Sequence, residues 1–168
     1  MQYHDLEKYL KRSAFLKNLI KEYDANRSGL LYYQLNLTTK AILIATLFKH
    51  LKIKGKGHKL LVVTQDDNIA EEFAEDLSLL CGKDNVIFVP DFEILPYEER
   101  SPHSSIRAKR LEGLTRLITD ENSIIVVSIK NLMRIIIPPQ ILSNNIITIK
   151  NGDEYDLDQL CSKLISLG

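Results

Sequence analysis

Leu60-Leu61-Val62-Val63-Thr64-Gln65-Asp66-Asp67-Asn68-Ile69-Ala70-Glu71-Glu72-Phe73-Ala74-Glu75-Asp76-Leu77-Ser78-Leu79-Leu80 changes its hydrophobic period part-way along. The first five residues are a compact apolar run closed by a threonine, the pattern of a strand covered on both faces. From Asn68 the spacing becomes helical. Asn68 and Glu71 stand as a capping box, and Phe73, Leu77 and Leu80 fall on one face. A strand feeding a helix in this way is the unit from which parallel sheets are built.

The same alternation extends in both directions. Further strands are expected at Leu30–Gln34, Val86–Val89, Ile124–Ser128 and Ile146–Lys150. A helix from Thr39 to Leu51 carries a broad apolar stripe. Ser104 and Ser105 can cap another, with Leu111, Leu114 and Ile118 at spacings of three and four. A last helix opens at Asp156 and carries Leu157, Leu160, Cys161, Leu164 and Ile165. A leading helix spans roughly Asp5 to Tyr23. The order predicts an α/β fold, a mostly parallel sheet flanked by helices with right-handed crossovers. Residues 1–24 form the leading helix, 25–140 the α/β lobe, and 141–168 the start of a second, α+β domain. The helix ending at Gly168 has an apolar face and no later strand to cover it, as expected of a chain that stops inside that second domain.

Composition narrows the function. The chain has 168 residues, with 22 Lys+Arg against 22 Asp+Glu, and is 45% apolar and 26% charged. That is globular usage and excludes a disordered chain. Zero formal net charge argues against a protein whose main task is gripping bare phosphate backbone. Cys81 and Cys161 are far apart and fit neither a disulfide framework nor a zinc spacing. The apolar stretch from Ala41 to Phe48 is too short to span a bilayer, and Met1 to Ile20 carries charges throughout, unlike a signal peptide. A cytoplasmic chain with reduced thiols is expected. His4, His50, His58 and His103 show no metal-ligand spacing, and no nucleophile elbow is present. Neither a metal nor a cofactor is expected.

In an α/β nucleotide-binding domain, the first strand–loop–helix holds the phosphates. A P-loop places glycines there so that backbone N–H groups turn inward, a lysine for the outer phosphates and a hydroxyl for magnesium. The corresponding stretch is Gln34-Leu35-Asn36-Leu37-Thr38-Thr39-Lys40-Ala41. Lys40 stands in the right place. No glycine occurs from Leu30 to Lys54, and a left-handed non-glycine residue costs on the order of 1–2 kcal/mol. Leu37 puts an apolar group where phosphate should lie, and Ala41 has no oxygen for a metal. No acidic strand end follows to supply a magnesium partner and a base. The stretch reads as a vestigial phosphate loop, or Lys40 is simply a residue in the first turn of a helix. Either reading disfavours catalysis by this chain.

Two segments break the rhythm. Lys49 to Lys59 holds five lysines, two histidines, two glycines and no acid. It precedes a strand, so its amides would not lead into a helix N-terminus, and it reads as a solvated turn. Pro90 to His103 holds three prolines and is long for a βα loop. Its acids Asp91, Glu93, Glu98 and Glu99 face a helix carrying Arg107, Lys109, Arg110 and Arg116 against Glu112. Asp91, Glu93, Tyr97, Glu98, Glu99, Arg100, His103, Arg107 and Arg110 form a candidate interaction surface. The alternative is local, solvated pairing, which contributes about 0–1 kcal/mol per pair. Phe92 and Tyr97 are expected to anchor the loop on the sheet.

Pro90-Asp91-Phe92-Glu93-Ile94-Leu95-Pro96-Tyr97-Glu98-Glu99-Arg100-Ser101-Pro102-His103, with Ile106 and Arg110-Leu111, resembles the N-terminal region of the bacterial transcription-repair coupling factors (Mfd). So do Leu60 to Asp67, Ala70 to Leu77, Gly152 to Asp158 and Leu167-Gly168. The likeness runs from about Ser28 to Gly168. That region is similar to the excision-repair helicase UvrB, in its first helicase-like lobe and in a domain that docks onto UvrA. The resemblance implies a RecA/helicase-like lobe with a degenerate P-loop and no ATP hydrolysis of its own, inside a parent that is an ATP-dependent DNA translocase. It implies UvrA and the parent's other domains as partners. RNA polymerase would be engaged only through modules outside this chain, DNA weakly or not at all, and no membrane. The short Asp91–His103 segment cannot match the long damage-clamping hairpin of UvrB, which points to recruitment rather than damage recognition. Leu37 and Thr38 depart from the small residues that relatives often keep at the old phosphate loop, and the UvrA-docking domain is only begun from about Ile141. The competing readings are an active P-loop ATPase or helicase lobe, and a small DNA-binding domain.

Overall fold

A computed structural model describes residues 13–25, 29, 34–53, 57–92 and 103–167. The chain divides into two compact units, Met1–Arg134 and Ile135–Gly168.

The first unit is built on a parallel sheet of three strands, β1 (Lys59–Thr64), β2 (Val86–Phe88) and β3 (Ser123–Ser128), in the order β1-β3-β2. Leu61 lies opposite Ile125, and Ile87 opposite the same residue from the other side. The central strand β3 is buried along its whole length, as its uninterrupted Ile-Ile-Val-Val run requires. The expected strand at Leu30–Gln34 falls on residues outside the described set, apart from Gln34, which sits in a bend with φ of 56°.

Period-two alternation sorts the sheet into two faces. Val86, Ile124 and Val126 point to one side, where α2 (Leu37–Ile53) and α3 (Asp67–Cys81) supply Ala41, Ala45, Phe48, Ala70, Phe73, Ala74 and Leu77. On the other side α4 (Ser104–Thr119) lies against β2. Gly113 makes that approach possible: a Cβ there would stand 3.2 Å from Val89 Cγ2 and 3.3 Å from the Phe88 carbonyl oxygen. Arg116 fastens the same helix, donating to the Val86 carbonyl at 3.0 Å and to the Asp84 carbonyl at 2.6 Å.

Helix α2 is apolar on most of its circumference because it packs on two sides. Its Leu43 meets Leu16 and Leu19 of α1 (Ala14–Ala25), with Leu35 and Ile42 beside them. The part of the leading helix expected before residue 13 lies outside the described residues. Helix α3 starts earlier than the sequence suggests. Asp66, not Asn68, is its N-cap, accepting from the Ile69 N–H at 2.9 Å. A carboxylate two residues upstream competes for the same orphan amides, and the bend after β1 favours it. At the other end Gly82, with φ of 90°, returns its N–H to the Ser78 carbonyl. The serine cap expected for α4 is also corrected: His103 is the N-cap, without a side-chain cap bond, and Ser105 Oγ instead meets His103 Nδ1 at 2.9 Å. A single helical turn, α5 (Ile129–Leu132), follows β3 and is capped by Ser128, whose Oγ accepts from the Asn131 N–H.

The second unit holds α6 (Pro139–Asn145) and α7 (Leu157–Leu167). Asp156 Oδ1 accepts from the Asp158 and Gln159 amides and starts α7, as expected. Ile146–Lys150 is not a strand. An extended segment becomes a strand only by sharing its backbone groups with a neighbour, and among the described residues none pairs with it. Lys150 N–H is taken by Asp153 Oδ2, and the Thr148 carbonyl by the Tyr155 hydroxyl. None of the described side chains of this unit is fully buried. Among the described residues, no helix is long and apolar enough to cross a membrane.

Candidate functional site

The stretch Gln34–Ala41 forms the start of α2. Asn36 caps it: its Oδ1 accepts from the Thr39 N–H at 2.8 Å and its carbonyl from the Lys40 N–H at 3.1 Å. Two of the amides that would face an anion are therefore engaged within the turn. Leu37 is packed against the main core, and Ala41 is 0% exposed inside it. Thr38 and Lys40 are exposed. A cavity of about 1080 Å³ adjoins this turn, its described walls including Leu37, Leu43, Ile44, Leu47, Val62 and Phe73, with Lys40, Thr64 and Gln65 as polar members. Its walls are mostly hydrocarbon.

The densest polar cluster lies at the carboxyl ends of β2 and β3, where open α/β sheets place their ligands. Chain leaving β2 runs through Val89, Pro90, Asp91 and Phe92. Asp91 is 3% exposed, and its N–H donates to Asp67 Oδ2 in the first turn of α3 at 2.5 Å. Its carboxylate receives Lys130 Nζ at 2.9 Å and Arg134 through Nη2 at 3.2 Å and through Nε. Burial pushes the Asp91 carboxyl up. The Arg134 and Lys130 cations and the Phe92 N–H outweigh burial and hold it below the ordinary carboxylate range.

Arg110 of α4, 4% exposed, enters the same cluster. It donates to the Pro90 carbonyl and to Asn131 Oδ1, and its guanidinium lies 4.1 Å from the centre of the Phe92 ring. Burial pulls its pKa down, while the nearby Asp91 charge opposes that. Asn131, 3% exposed, passes its remaining donor to the Val89 carbonyl at 2.6 Å. Every buried charge here has a counter-charge or carbonyl, as burial demands.

The candidate interaction residues therefore separate. His103 and Arg107 are exposed on α4 and its cap. Asp91 and Arg110 are interior, which corrects their placement on a surface: a short loop base wedged between α3, α4 and α5 has no access to water. Glu93, Tyr97, Glu98, Glu99 and Arg100 lie outside the described residues. Asp91 pairs with Lys130 and Arg134, not with the bases of α4. Asn131, Lys130 and Arg134 were not legible as site residues. The one available signal was Ser128-x-x-Asn131, a strand end running into a capped turn.

No family model matches the chain. A transcription-repair-coupling factor from Haemophilus influenzae is 37% identical over 108 residues, covering 64% of this chain and 9% of that protein. The corresponding protein of Escherichia coli is 32% identical over 124 residues, 74% of this chain and 11% of its own length. By sequence the chain belongs with the transcription-repair-coupling factors. The Bacillus subtilis coupling factor, 26% identical over 109 residues, extends the set. The chain spans about a tenth of the length of these coupling factors.

Proposed function

We propose that the chain is the non-catalytic, UvrB-like N-terminal module of a transcription-repair coupling factor. In this reading it is a scaffold that helps recruit nucleotide-excision repair, through UvrA, to stalled RNA polymerase. Residues 25–140 act as a helicase-like lobe whose phosphate loop has degenerated, and the chain from 141 onward begins the UvrA-docking domain. The parent protein is an ATP-dependent DNA translocase, and in its resting form this lobe packs against the motor and restrains it.

The observation that carries the non-catalytic reading is Ala41, completely buried where a magnesium-binding hydroxyl would be needed, one turn after a core-packed Leu37. An apolar, filled turn offers a phosphate no charge stabilisation and strips its water. Thermal unfolding with magnesium-ATP tests it. A ligand at a hundredfold over its dissociation constant adds about 2.7 kcal/mol, and no shift is expected at millimolar nucleotide. A dose-dependent rise in melting temperature overturns the reading. For recruitment, deleting these 168 residues from the parent should abolish co-elution with UvrA and raise ATP hydrolysis. Co-elution that survives the deletion overturns the scaffold role.

A further inference from the structure

We propose that Asp91 is a shared anchor that couples the chain leaving β2 to the chain leaving α5, so that loosening either end loosens the other. The two ends are Pro90–Phe92, which open the proline-rich segment, and Arg134, which closes the first compact unit. Both are fixed by the same carboxylate. Lys130 and Arg134 hold it from one side, and its own N–H is tied to Asp67 of α3.

A second set of contacts runs parallel to the first. Asn131, between the two cations in sequence, is bonded to the Val89 carbonyl and to Arg110. Arg110 in turn holds the Pro90 carbonyl and covers the Phe92 ring, which Arg134 also approaches at 5.8 Å. Two arginines and one lysine thus share one aspartate, one ring and two backbone carbonyls. Interdependence of this kind makes a network respond as a unit, because a cation that loses the carboxylate has no second anion in reach that is not already engaged. A partner that pulled on the chain beyond Arg134 would be felt at Phe92, and one that bound the proline-rich segment would be felt at α5.

Hydrogen exchange on the 168-residue chain tests this, comparing the wild type with Arg134→Gln, Arg134→Lys and Lys130→Ala. Lys130 is 58% exposed on its side chain, so its removal preserves the fold while weakening the anchor. In Arg134→Gln, exchange should rise on the order of tenfold both at 129–134 and at the Val89, Asp91 and Phe92 amides, with β1 and α3 unchanged. Lys130→Ala should show the same two regions at smaller amplitude, and Arg134→Lys should restore most of the protection. A rise confined to 129–134 overturns the coupling. A uniform rise over the whole sheet also overturns it, since that is ordinary destabilisation.

Discussion

The side-chain amide of Asn131 donates to the Val89 carbonyl at 2.6 Å, across 42 residues of sequence. It closes the carboxyl end of β2 onto the turn after β3, while its Oδ1 receives Arg110. Replacing Asn131 by alanine leaves the Val89 carbonyl without that donor and Arg110 short of an acceptor. Each buried group stranded costs about 1–3 kcal/mol. Asn131→Ala should therefore lower the unfolding free energy by roughly 2–4 kcal/mol in urea titration, and Asn131→Asp should fall well short of that loss because it keeps an acceptor for Arg110. Equal losses for the two variants would count against the assignment.

Asp91 sets an acid limit. Its folded-state pKa is depressed, so its contribution is complete above the unfolded value, about 3.9, and is lost as pH falls through the folded value. Stability measured from pH 6 down to pH 2 should decline with a component that Asp91→Asn removes. At neutral pH that variant leaves Arg134 and Arg110 facing no anion, and breaking a buried pair costs about 3–5 kcal/mol. A neutral-pH loss under about 1 kcal/mol would show that the carboxylate is not the anchor described.

Gly113 is the contact point of α4 with β2. Alanine in a helix interior gains about 1 kcal/mol over glycine. Here its Cβ would press on the Phe88 carbonyl at 3.3 Å, a backbone atom that cannot swing away. Gly113→Ala should lose that gain and end neutral or slightly destabilised, and Gly113→Val should cost about 1–3 kcal/mol through overpacking. Thermal melts of the pair decide it, and a stabilised Gly113→Ala would place the helix further from the strand.

The two candidate caps of α3 separate by mutation. Asp66→Ala should cost about 1 kcal/mol, because its carboxylate takes the Ile69 N–H. Asn68→Ala, at an exposed position, should change stability by no more than a few tenths. The reverse order would restore the capping box at Asn68.

Local pattern carried the elements whose neighbours in sequence are enough to define them. The runs at 60–64, 86–88 and 124–128 and the apolar stripes of α2, α3, α4 and α7 were legible, because period and propensity are properties of a short window. Ile146–Lys150 has the same β-branched look and is not a strand, since pairing requires a second strand that no window contains. The same limit governed the polar cluster. Asp91 and Arg110 look like surface charges beside other charges, yet both are interior. What put them there is the arrival of Lys130, Asn131 and Arg134 from some forty residues away. Residue identity settled the helix stripes, the missing glycines near Lys40 and the apolar groups at Leu37 and Ala41. The closing of the chain determined which carboxylate meets which cation, because burial of charge is decided by partners distant in sequence and adjacent only in space.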